Sequence, residues 1–139
     1  MDADAIIAAL GLQAHPEGGW YREIHRSSAP DGGRSPVTSI YYLLKQGERS
    51  HWHRVDAVEI WHWHAGASLE LSISADGRRI ERHVLGMALG EGARPQIAVP
   101  EHAWQSARSL GAFSLIGCTV APGFEFAGFE LAPPGWHPG

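Results

Sequence analysis

From Trp20 onward the chain is interrupted about every ten residues by a turn signal, and the stretches between read as short β-strands. The segments are Trp20–His25, Val37–Leu44, His51–Arg54, Val58–His64, Ser68–Ser74, Arg79–Leu85, Gln96–Val99, Ala112–Val120 and Phe126–Leu131. Many short strands at this spacing close into a sandwich or barrel and leave little room for helix. The clearest pair is a hairpin. Leu69, Leu71 and Ile73 alternate with polar residues, as a half-buried strand requires, and Asp76-Gly77 supplies the positive φ angles of its turn. Before the strands, Asp2 or Asp4 can cap a helix over residues 2–10, with Gly11 placed to end it. The expected organisation is one domain over 1–139: this helix, a barrel over about 20–131, and a loose tail from Pro133 to Gly139.

Composition narrows the class of function. A net charge of −4 gives no basic face for nucleic acid, and no apolar run approaches the ~20 residues that span a bilayer. The single cysteine, Cys118, sits in an apolar segment and reads as a buried, inert thiol. With no internal disulfide and no signal-peptide pattern, a cytoplasmic protein is expected.

Chemistry concentrates between His51 and His64, which hold four of the nine histidines and three of the six tryptophans. On a strand His51 and His53 face one side about 7 Å apart, a spacing from which two imidazoles can reach one ion. Parity puts Glu59, Trp61 and Trp63 on one face of the next strand, and His62 and His64 on the other. Continued into the hairpin, the odd-numbered phase faces the interior. The rival arrangement is a four-histidine cluster with Glu59 outside. A second piece, Pro100 to Gln105, brings an amide oxygen able to bind a hard metal. Glu17-Gly18-Gly19 lacks the lysine and spacing of a phosphate loop and reads as a structural turn. Phe124, Phe126 and Phe129 read as core or subunit packing, with Glu125 and Glu130 alternating with them and solvated.

Gly47, His51, His53, Glu59 and Gly66, followed by Pro100 and Gln105, resemble the two cupin motifs, with Gln105 where the fourth ligand, a His, would stand. The blocks His15–Glu23, Ser39–Leu44, Glu59–Trp63 and Gly117–Phe124 are similar to cupin family five, long described as a domain of unknown function. The resemblance implies an all-β fold: a small cupin-type barrel, a jelly roll of two packed antiparallel sheets with a short N-terminal helix, assembled as a homodimer. It implies no settled reaction.

Three functions follow as expectations, and whether the protein is an enzyme stays open. The first is a metal-binding cupin holding a small sugar-like or carboxylate-bearing molecule, an isomerase, epimerase or dioxygenase. His51, His53, Glu59 and Gln105 would bind a divalent ion (Mn, Fe, Ni or Zn). Tyr41, Trp61, Trp63, Trp104 and Arg22 would line the pocket, Arg54 would join Arg22 in orienting an anion, and His53 and Tyr41 are the catalytic candidates. The second is a metal-free epimerase. It would use His53 or His51 as base, Asp56 or Glu59 as orienting carboxylate and Tyr21 or Tyr41 as acid. The third is a non-catalytic, storage-type barrel that binds a small ligand.

Overall fold

The computed structural model describes all 139 residues. Helix α1 (Ala3–Leu10) starts where Asp2 accepts a hydrogen bond from the Ala5 N–H and stops at Gly11, which takes the left-handed conformation that glycine tolerates best. Eleven strands follow: β1 (Gln13–Ala14), β2 (Trp20–Arg26), β3 (Thr38–Lys45), β4 (Arg49–Val55), β5 (Val58–Gly66), β6 (Leu69–Ser74), β7 (Glu81–Leu85), β8 (Gln96–Val99), β9 (Trp104–Ser109), β10 (Phe113–Ala121) and β11 (Phe129–Leu131). No helix is long and apolar enough to cross a membrane.

The strands form two antiparallel sheets, ordered β1-β2-β3-β10-β5-β8 and β11-β4-β9-β6-β7. Within them β3 to β10 follow the jelly-roll order, 3-10-5-8 over 4-9-6-7. All nine expected strands are present, Gln96–Val99 with the expected ends and the others with shifted ones. The residues read as the start of the last one, Phe126–Gly128, form a 3-10 turn that leads into β11.

Strand β9 was not expected. Its Ser106, Ala107, Arg108 and Ser109 carry no β-branched or aromatic signal. It lies between β4 and β6, and Ser106 and Ala107 are buried there, where small side chains fit.

The two sheets pack over an apolar core that fills one end of the barrel, built on Tyr42, Leu44, Trp61, Leu69, Leu71, Ile73 and Ile116. At the other end the same strands turn shorter or polar side chains inward. Thr38 and Ile40 do so on β3, His53 and Val55 on β4, Glu59 on β5, Cys118 and Val120 on β10. That end is hollow.

The tail is not loose. Trp136 stands edge-on to Trp52 and lies tilted against Trp104 at 4.5 Å, and the Gly139 N–H donates to the Gly77 carbonyl. Apolar rings displayed on the outside of the five-stranded sheet hold it down.

Candidate functional site

The hollow end is a cavity of about 670 Å³. Its floor is built from residues far apart in sequence. The turn after β1 delivers His15 and Glu17, and Gly18 and Gly19 make that turn possible. Both have positive φ, and a Cβ on Gly18 would collide with the Arg49 carbonyl of β4. The turn is therefore structural, as its sequence implies, but it also carries a buried carboxyl into the barrel.

Glu17 Oε2 lies 3.1 Å from His53 Nε2, and Glu17 Oε1 accepts a hydrogen bond from Ser50. His53 Nδ1 is 2.7 Å from the His51 carbonyl, which can only accept, so Nδ1 carries a proton and Nε2 is left to face Glu17. One proton must then lie between these two groups. Burial lowers the His53 pKa and raises that of Glu17, so both are pushed toward their neutral forms.

Glu59 is the second buried carboxyl. The Trp61 indole N–H donates to Gln105 Oε1 at 2.8 Å. Indole is only a donor, so the amide orientation is fixed, and its NH₂ donates to Glu59 Oε1 at 2.9 Å. Burial, opposed by the charge of His53 and reinforced by that of Glu17, pushes the Glu59 carboxyl up to about 7. The His15 side chain is largely covered, and burial lowers its pKa. Its ring meets Tyr21 edge-on at 4.4 Å. Cys118 lies beside Glu59, and its thiol is pushed well up by burial.

The four residues expected to bind a metal do not form a ligand set. A bulge in β4, between Ser50 and His53 where it pairs with β9, breaks the alternation that would align His51 with His53. His51 points outward, with Nε2 3.0 Å from the Pro133 carbonyl. The Gln105 oxygen is taken by Trp61. No group of three or more His, Cys, Asp or Glu is arranged to hold an ion. The donors present therefore do not fit the metal that the fold suggests.

Among the expected pocket residues, Arg22 lines the mouth, where its Nη1 donates to the Leu10 carbonyl. Trp61 lies beneath the floor in the core, and Trp63 packs at the filled end, donating to the Ala67 carbonyl. Tyr41 faces the opposite side of β3, against the residues under α1, because parity turns its neighbour Tyr42 inward. Trp104 is outside, under Trp136 and 4.5 Å from the Arg54 guanidinium. Arg54 itself is paired with Glu130. Asp56 is tied to Arg34 at 2.7 Å, away from His53. His62 and His64 lie on the outer face of β5, where His62 is 3.4 Å from Thr119 and His64 covers Gly117.

Phe124, Phe126 and Phe129, expected to serve core or subunit packing, form one wall of the cavity. Sequence reasoning missed His15 and Glu17 as site residues. The signal available was a titratable pair next to a glycine pair that forces a tight turn.

A two-sheet jelly roll closed at one end, with buried histidines and carboxyls at the open end, defines a cupin barrel. The chain belongs to the family described as Cupin superfamily (DUF985), whose model matches residues 4–132. Protein SO0799 from Shewanella oneidensis is similar at 42% identity, with a TM-score of 0.91 over 95% of this chain and 85% of that one. A hypothetical protein from Leishmania major is 30% identical, with a TM-score of 0.87 over 98% and 90%. Oxalate decarboxylase from Bacillus subtilis shares the fold at 15% identity and a TM-score of 0.65, over 85% of this chain but only 29% of its own. No curated protein matches.

Proposed function

We propose that this cupin binds a small polar molecule in the open end of its barrel and moves a proton on it without a metal ion. The observation that carries the reading is Glu59: a carboxyl buried at the cavity floor, aimed by a fixed amide, and half ionised near neutral pH. A general base works best when its pKa lies near the working pH. Glu59 takes the proton. The one between His53 Nε2 and Glu17 Oε2 shifts in response, since both groups feel the Glu59 charge. Tyr21, lining the same cavity and held edge-on by His15, supplies an O–H to the other side of the ligand. We place the protein in the cytoplasm, because its lone cysteine suits a reducing compartment, and as a homodimer, following the family resemblance.

Incubation in D₂O with a panel of small hydroxy- and amino-carbonyl compounds tests this. The expected result is deuterium incorporation at carbon, detected by NMR, that survives chelation and disappears in Glu59→Gln and His53→Gln. Binding without exchange would leave a non-catalytic, ligand-holding cupin. Exchange lost on chelation and restored by Mn, Fe, Ni or Zn would return the function to a metal.

A further inference from the structure

The fixed charges around the cavity differ between floor and mouth. At the mouth, Arg26 donates to both oxygens of Glu23 and to the Phe124 carbonyl, so its charge is matched, and Arg22 is turned to the Leu10 carbonyl. At the floor stand Glu17 and Glu59, with no arginine or lysine among the lining residues at that depth. Glu17 has partners on both oxygens, Ser50 and His53. Glu59 has Gln105 on Oε1 and the weakly donating Cys118 thiol beside it, and no N–H or O–H of the protein donates to its second oxygen. An anionic ligand end would meet two carboxyls, and the only basic groups beside them, His15 and His53, are held toward their neutral forms by burial, so no fixed cation offsets the repulsion. The side wall adds an independent preference. Phe124, Phe126 and Phe129 form a contiguous aromatic cluster, with ring centroids 4.9 to 6.0 Å apart. Phe129 also packs against His53. Aromatic faces near a carboxylate suit an organic cation with an apolar body.

Resting on the proposal that this cavity is the ligand site, we infer that it takes a small amine: the ammonium donates to the free oxygen of Glu59, and the apolar body lies against the three phenylalanines. Neither a carboxylate nor a phosphate end fits the floor.

Three probes of one shape separate the possibilities: benzylamine, benzyl alcohol and benzoate, each titrated into ¹⁵N-labelled protein. Benzylamine should saturate shifts at Cys118 and Phe129 and bind about tenfold tighter than the other two. In Glu59→Gln, which keeps the shape of the side chain, benzylamine should fall to the level of the alcohol. Equal binding of amine and alcohol overturns the inference, as does tighter binding of benzoate that is lost in Arg22→Ala. In either case the cavity reading survives, because cavity signals still move. If no probe moves them, the cavity reading falls as well.

Discussion

Glu59 imposes a pH dependence on folding whose sign follows from its surroundings. Below pH 4.5, its ordinary value, the group is protonated in both folded and unfolded chains, and the stability associated with its neutral form is fully present. As pH rises toward 7 the unfolded chain loses the proton while the folded chain keeps it, so stability falls. Above 7 the loss is complete, on the order of 3 kcal/mol for a carboxyl raised from 4.5 to about 7. Glu17, raised by the same cause, acts in the same direction. His15 and His53 act oppositely: their lowered values remove stability as pH falls below 6.5. The wild-type profile is therefore a compromise, and Glu59 is isolated only by difference. In urea unfolding from pH 5 to 8, Glu59→Gln should gain stability relative to wild type as pH rises toward 7 and level off above it. A constant difference across that range would mean that Glu59 titrates as an ordinary surface carboxyl.

At the scale of the element, the turn after β1 does the most with the fewest residues. Gly18 and Gly19 let the chain close against the backbone of β3 at Leu43 and of β4 at Arg49, and Glu17 reaches the floor only because they do. Gly18→Ala combines a disfavoured φ with a clash against backbone that cannot retreat. It should cost about 1–3 kcal/mol in thermal or urea unfolding, and the displaced Glu17 should release His53. Gly32→Ala, also at positive φ but in open space, is the control and should cost less.

The same turn marks where sequence reading reached its limit. Period-two patterning located the strands and put Glu59 and Trp61 on the inward face of β5, since a continuous strand keeps its parity. Parity failed for His51 because a bulge is an insertion in pairing, and pairing with β9 was invisible while β9 itself, built of small residues, went unread. The exchange of Tyr41 for Tyr42 has a similar origin. A strand covered on both sides, by the core and by α1, is apolar throughout and does not declare which face is inside. The pairing of Gln105 with Trp61 needed three dimensions, because 44 residues separate them.

Across the whole molecule, the two faces of the five-stranded sheet have separate tasks. The inner face meets the core and the cavity. The outer face is covered by the C-terminal tail, which lays Trp136 against Trp52 and Trp104 and accepts His51 at the Pro133 carbonyl. Trp52 is buried, and Trp136 of the tail stands edge-on against its ring. Ending the chain after Ala132 would expose both tryptophans and lose the apolar burial of a third. A loss of about 1.5–3 kcal/mol is expected, the range for burying one large apolar side chain. Tryptophan emission should shift to longer wavelength, because Trp52 and Trp104 enter water. Binding of benzylamine should not change, since the tail touches no residue that lines the cavity and His53 is held by Glu17 and by the His51 carbonyl, both of which remain. If truncation weakened binding as much as Glu59→Gln does, His51 would be transmitting the state of the tail to His53 through that carbonyl, and the two faces would work as one.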